Sequence, residues 1–251
     1  MTIWVISDLH LSAQRPAVTQ AFLHWLQHSL EDANALYILG DFFEVWVGDD
    51  GLQDPTLGAA YQPVVDALKA VSERGVAVYL MHGNRDFLLG AAVADACGAQ
   101  CLPDPTRLTV GAQRILLTHG DALCTDDVAY QQFRAQVRSP AWQQAFLAQP
   151  LSARLAFAEQ ARQQSRANKA MQAAEIMDVN AEAVAQCIRQ HDYPQVLLHG
   201  HTHRPAIHSL VVDGHPCCRW VLGDWEQTAV VACISTQGIT PVTLTLAVDK
   251  P

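Results

Sequence analysis

Five short apolar runs in this chain each stop at a side chain able to ligate a metal, and that pattern sets the limits on its fold. The runs cover residues 3–6, 36–39, 76–81, 115–117 and 196–198. Each is rich in Val, Ile, Leu or Tyr and ends at a glycine or polar cluster, as buried strands do. The segments that follow are Ser7-Asp8-Leu9-His10, Gly40-Asp41, His82-Gly83-Asn84-Arg85-Asp86, His119-Gly120-Asp121 and His199-Gly200-His201-Thr202-His203. Between the first three runs, residues 17–30 and 61–73 place apolar side chains at helical spacing. Strands alternating with helices predict an α/β domain with a largely parallel sheet. After Asp213 only strand patterns remain, at 218–222, 228–235 and 241–248, which predicts a second, partly antiparallel layer.

In an open α/β sheet, functional groups gather outside the carboxyl ends of the strands. Ligands scattered from Asp8 to His203 are therefore expected to meet along one edge. Carboxylates, an amide oxygen and imidazoles form a mixed N/O set that suits Mn, Fe or Zn and is poor for Ca. Two metals about 3.5–4 Å apart need a bridging carboxylate and can hold a hydroxide between them. Asp41 is the natural bridge. The chain has seven cysteines and no CxxC pair, so a structural zinc site is not indicated and idle thiols fit a reducing compartment.

The 251 residues, half of them apolar, fit a single domain, 1–251, carrying one insertion. That insertion is 126–190, which has no strand pattern and is rich in Ala, Gln and Arg. Residues 128–174 hold six basic side chains (Arg134, Arg138, Arg154, Arg162, Arg166 and Lys169) and one acid, Glu159, inside a chain of net charge −9. Trp142, Phe146, Leu147, Leu151 and Leu155 fall near one helical face, interrupted at Pro150. The segment reads either as a helical hairpin packed on the main domain or as a basic, apolar cap for an anionic amphiphile or membrane surface. The acidic balance excludes a whole-chain footprint for nucleic acid. No apolar run reaches the 18 or so residues of a membrane span, and the first ten residues lack the basic start of a signal peptide.

Asp8-x-His10, Gly40-Asp41, Gly83-Asn84, His119 and Gly200-His201-Thr202-His203 together resemble the calcineurin-like metallophosphoesterases. The resemblance implies a four-layer α/β/β/α sandwich with two metals. Asp8, His10, Asp41 and His203 would hold the first metal, and Asp41, Asn84, His119 and His201 the second. Many members of that superfamily carry a His after the motif Asn as proton donor to the leaving group; here that residue is Arg85. An Arg offers fixed charge and a donor fork for phosphate but is not an acid near neutral pH. A leaving group that needs little protonation is therefore expected, such as a phosphate monoester leaving a pyrophosphate.

Longer strings at 37–41, 47–50, 82–90, 119–121, 123–127, 176–180 and 199–205 resemble the UDP-2,3-diacylglucosamine hydrolases of lipid A biosynthesis. That family implies Mn-dependent hydrolysis of UDP-2,3-diacylglucosamine to UMP and 2,3-diacylglucosamine 1-phosphate. The motif pattern and the missing acid His lead us to expect a metal-bound hydroxide attacking the uridine-side phosphorus. It also implies a peripheral place on the anionic cytoplasmic face of the inner membrane. The expected catalytic residues are Asp41, Asn84, Arg85 and His201, and the expected substrate contacts are Asn84, Arg85, Asp127, Ser165, Lys169 and His201. The alternative is another two-metal phosphoesterase acting on a soluble nucleotide or phosphodiester. Asp121 and His199 are expected to orient ligands. Glu44, Asp49 and Asp50 either support the site or belong to a solvated loop.

Overall fold

A computed structural model describes residues 1–171, 178–226 and 228–246, the side chains of 165–171 excepted. Eleven strands form two sheets. The strands are β1 (Thr2–Ile6), β2 (Ala35–Leu39), β3 (Ala77–Met81), β4 (Ala99–Leu102), β5 (Thr106–Val110), β6 (Gln113–Thr118), β7 (Val196–His199), β8 (Ala206–Val212), β9 (His215–Val221), β10 (Thr228–Ser235) and β11 (Gly238–Thr245). One sheet runs β11-β10-β1-β2-β3-β4 and the other β5-β6-β7-β9-β8. β1 to β4 are mutually parallel, as are β6, β7 and β9, while β10, β11, β5 and β8 pair antiparallel.

Successive side chains on a strand face opposite ways, and that alternation builds the layers. Ile3 and Val5 of β1, Tyr37 and Leu39 of β2, Ile115 and Leu117 of β6 and Leu198 of β7 meet in one core between the sheets. The intervening Ile6, Leu36 and Ile38 face outward onto helices α1 (Pro16–Ser29), α2 (Pro55–Glu73) and α3 (Ala91–Ala96) through Phe22, Leu26, Val64, Leu68 and Val93. On the far side, Leu116 and Leu197 face Val184 and Ile188 of helix α7 (Ala181–Gln190). The result is helix, sheet, sheet, helix, the four layers expected.

The described part of 126–190 is helical, with α4 (Val128–Val137), α5 (Pro140–Leu147) and α6 (Leu151–Met171) preceding α7. Pro150 separates α5 from α6, where the pattern placed a break. Three strands escaped the sequence reading: β4, β5 and β8, each the outermost strand of its sheet at one end. Edge strands bury less, so their polar-mixed sequences lack an apolar run. Helix α2 also starts six residues before the apolar pattern at 61. Asp54 caps it by accepting from Thr56 N at 2.9 Å and Leu57 N at 3.0 Å.

Candidate metal centre and its cavity

The carboxyl ends of β1, β2, β3, β6 and β7 converge, and every expected ligand stands there. Asp8, His10 and His203 bring ligand atoms within 4.8 Å of one another, and so do Asp41, His119 and His201. Asp41 lies between the groups, with Oδ2 3.8 Å from His10 Nε2 and Oδ1 3.7 Å from His119 Nε2. Asn84 Oδ1 is 3.1 Å from His119 Nε2 and 2.8 Å from His201 Nδ1. His10 Nε2 and His203 Nε2 face each other at 3.3 Å.

The local backbone is bent to achieve this. Asp8, His10, Asp41, His201 and His203 all sit in the left-handed region, with φ of 59°, 51°, 49°, 66° and 54°. Such conformations are unfavourable for residues with a Cβ and persist only where surrounding structure holds them. The glycines beside the ligands have a steric cause. A Cβ on Gly200 would strike Asp8 Oδ2 and Ser7 Oγ, and one on Gly83 would strike Asp41 Oδ1.

Neighbouring groups aim the imidazoles. His119 Nδ1 binds the Leu39 carbonyl at 2.8 Å, which turns Nε2 toward Asp41 and Asn84. His203 Nδ1 is 3.2 Å from Asp224 Oδ2, and His10 Nδ1 is 2.9 Å from Glu44 Oε2. A partner on the second ring nitrogen is the usual setting of a metal-bound histidine. Asp224 was missed in the sequence, although Gly223-Asp224 after a strand repeats the signal of Gly40-Asp41. The Asp86 carboxylate, fully buried, accepts from the amides of Gly83, Phe42, Asp41 and Phe43 at 2.7, 2.7, 3.3 and 3.3 Å. It thereby ties the loop carrying Asp41 to the loop carrying Asn84.

Electrostatics agree with a cation site. Burial alone would raise the Asp8 carboxyl, but contact with His203 and the charges of His119 and His10 hold it well below the carboxylate range. Burial would lower His119, yet Asp41, Asp121 and Asp8 push it up to about 9. His203 is likewise desolvated, but Asp224 and Asp8 raise it to about 10. Burial and the adjacent His119 charge lower His201 to about 4. The carboxylates thus stabilise positive charge where a divalent ion would replace ring protons. Asp8 Oδ1 is buried without a well-formed hydrogen bond, as suits an oxygen that ligates a cation. The donor set fits two divalent ions.

The other expected residues separate into groups. Arg85 donates its backbone N–H to Asp41 Oδ1 at 2.8 Å, and its side chain lines a cavity of about 830 Å³. Asn84, Asp127 and His201 line the same cavity, and one Asp127 oxygen also caps α4 through Tyr130 N at 3.0 Å. Ser165 and Lys169 lie outside the described side chains. Asp121 anchors α4: its buried carboxylate accepts from Tyr130 Oη at 2.6 Å and Arg134 Nε at 2.8 Å. His199 turns away from the ligands, with its ring nitrogens 2.9 Å from the Gly200 carbonyl and 3.2 Å from Arg219 Nη1. Asp49 caps α3, accepting from Gly90 N at 2.9 Å and Val93 N at 3.1 Å.

The cavity runs from the ligand cluster beneath α4 and α6, and its walls include Trp46, Val47, Leu88, Phe133, Phe146 and Phe157. Of the six basic residues in 128–174, the four with described side chains turn toward the main domain. Arg134 and Arg138 pair with Asp121, Arg154 with Asp50 and the Val47 carbonyl, and Arg162 with Glu44 and Glu159. Three acids on the loops beside the ligands, Asp50, Asp121 and Glu44, thus pair with all four of these arginines. Phe146 is buried in the main core, and Trp142, Leu151 and Leu155 pack against it. Leu147 remains exposed.

Residues 1–205 match the model of the calcineurin-like phosphoesterase family. The chain belongs to that family. It is also 47% identical over 245 residues to the UDP-2,3-diacylglucosamine hydrolase of Stenotrophomonas maltophilia strain K279a, covering 95% of this chain and 96% of that protein. The hydrolase of the same name from Bordetella pertussis strain Tohama I is 51% identical over 226 residues, covering 89% and 85% of the two chains. That of Aromatoleum aromaticum strain EbN1 is 51% identical over 229 residues, covering 91% of each. Within the calcineurin-like phosphoesterases, the chain therefore falls among the UDP-2,3-diacylglucosamine hydrolases. No helix among the described residues is long and apolar enough to cross a membrane.

Proposed function

We propose that this chain hydrolyses the pyrophosphate of UDP-2,3-diacylglucosamine, releasing UMP and 2,3-diacylglucosamine 1-phosphate. The observation that carries this reading is the joining of a two-metal ligand set to an apolar cavity. A soluble nucleotide has no use for walls of Trp46, Val47, Leu88, Phe133 and Phe157. Acyl chains do, at roughly 25 cal/mol per Å² of apolar surface removed from water. Relatives about half identical over most of the chain carry the same activity in their names.

Asp8, His10, Asp41 and His203 would hold one ion, and Asp41, Asn84, His119 and His201 the other. We assign Mn(2+) as the resident ion from the likeness to the UDP-2,3-diacylglucosamine hydrolases; the mixed N/O donors accept it as they accept Fe or Zn. When bound, such ions lower the pKa of water and neutralise phosphoryl charge. Arg85 lines the cavity beside Asp41, where a guanidinium donates to phosphoryl oxygens and is no acid for the leaving group. Asn84 and His201 orient the phosphoryl group, and Asp127, Ser165 and Lys169 contact the rest of the substrate. We assign attack to the uridine-side phosphorus, from which the lipid phosphate leaves, a group that needs no proton donor.

The decisive assay follows UMP release from UDP-2,3-diacylglucosamine with added Mn(2+), beside a generic phosphodiester. Comparable turnover of both would favour a general phosphoesterase. In heavy-oxygen water the label is expected in UMP, and label confined to the lipid phosphate would reverse the site of attack.

Contact with the inner membrane, at its anionic cytoplasmic face, belongs to the same reading. Its support is the exposed Val128, Leu147 and Phe157 on α4, α5 and α6. Phe157 both lines the cavity and is 36% exposed. Phe157→Ser is expected to raise KM for the diacylated substrate roughly tenfold, the size of a buried aromatic's lost transfer energy when half of it is retained. A chain-free UDP-sugar, if turned over, should keep its KM. Equal KM changes for both substrates would remove Phe157 from the acyl path.

A further inference from the structure

Glu44 stands on the loop after β2, three residues beyond Asp41, with its side chain only 16% exposed. Its two carboxylate oxygens are engaged in different directions. Oε2 lies 2.9 Å from His10 Nδ1, and Oε1 lies 3.3 Å from Arg162 Nη2 on α6. Its backbone is also held, since Glu44 N donates to the Leu11 carbonyl at 3.0 Å. Among the described residues, three other acids pair with arginines of α4 and α6: Asp50, Asp121 and Glu159. None of those pairs with a histidine of the ligand cluster, as Glu44 does with His10.

We propose that Glu44 is a positioning residue that couples the α6 helix over the cavity to the metal-ligand cluster. On one side, the Glu44 carboxylate 2.9 Å from His10 Nδ1 favours that nitrogen as the one carrying the proton, which leaves the Nε2 lone pair for a metal. That nitrogen faces the cluster, 3.3 Å from His203 Nε2 and 3.8 Å from Asp41 Oδ2. On the other side, Arg162 anchors α6 above the cavity, which Glu44 and Arg162 both line. With both oxygens used, the carboxylate has one orientation that satisfies both partners. Swinging it away would release His10 and the Arg162 turn of α6 together. Coupling between two sites is reciprocal, so an ion on His10 favours the docked helix and the docked helix favours the ion. The proposal rests on the reading of the cluster as a metal centre.

The test uses the full chain, Mn(2+) alone as the probe, and two readouts that do not involve turnover. These are Mn(2+) affinity by titration calorimetry and amide hydrogen exchange across residues 151–164. Mn(2+) is expected to slow exchange in α6 of the wild-type chain. Glu44→Ala should weaken affinity at one of the two sites roughly 10–100-fold, the usual cost of removing the partner of a metal-bound histidine. It should also abolish the Mn(2+)-dependent protection of α6. Glu44→Gln keeps an oxygen acceptor for the His10 N–H but not the charge for Arg162. It should restore most of the affinity and little of the protection. Arg162→Met keeps the chain length and leaves His10 alone, and it too should lose protection.

Wild-type affinity in Glu44→Ala, or undiminished α6 protection in that variant, would overturn the coupling. If Glu44→Ala does not fold, the other two variants decide, and Mn(2+)-dependent protection surviving in both overturns it. Absence of Mn(2+) binding to the wild-type chain would instead sink the metal-centre reading, which separates the two failures.

Discussion

Asp41→Ala is expected to lower turnover of UDP-2,3-diacylglucosamine by at least roughly 10³-fold, the scale of losing a main electrostatic stabiliser. The reason is geometric. Asp41 has a carboxylate oxygen near an imidazole of each ligand group, 3.8 Å from His10 and 3.7 Å from His119. It also accepts the Arg85 amide at 2.8 Å, so its loss frees the loop that presents Asn84 and Arg85. A residue on the rim such as His203, with a side chain 34% exposed, serves one group only and should cost less when truncated. The check is kcat measured together with metal content per chain. Activity within tenfold of wild type, with two ions still bound, would contradict the bridging role.

The second large effect belongs to a residue that touches no ligand ring. Asp86→Ala should destabilise the fold by at least about 3 kcal/mol, because each buried amide left without an acceptor costs about 1–3 kcal/mol. Four amides depend on this carboxylate, and they belong to the two loops that carry Asp41 and Asn84. For a chain of this size that predicts a fall in Tm of roughly 6–12 °C. Metal affinity should fall with it, since the ligands lose their spacing. Asp86→Asn, which retains one oxygen acceptor, should lie between. Thermal unfolding followed by circular dichroism decides the matter, and a Tm shift under about 2 °C for the alanine variant would refute the role.

Much of the metal centre was legible in the sequence because each ligand directly follows a strand that announces itself by an apolar run. Residues 3–6 and 36–39 point to Asp8 and Asp41, and the glycines at 40, 83 and 200 mark where the backbone turns tightly beside a ligand. Strand alternation similarly foretold two sheets with a shared core, because the side-chain period of two is local chemistry. Asp224 and Glu44 were harder to place. A carboxylate that supports a histidine through space carries no fixed spacing to it, and Asp224 lies 21 residues from His203 in sequence. The polar edge strands β4, β5 and β8 were invisible for a related reason: their partners, not their own composition, make them strands.

The direction in which the basic helical segment faces was decided by tertiary structure alone. Its sequence fits an exposed cationic surface and a packed hairpin equally well, since both need arginines and an apolar stripe. The structure turns Arg154 inward to Asp50, 104 residues away in sequence, and Arg162 toward Glu44. Arg134 and Arg138 close on Asp121. Charge count along a chain is a local property, whereas ion pairing depends on which loops the fold brings opposite each charge. The sequence by itself therefore determined the ligand chemistry, and the fold determined that these arginines hold a roof over it.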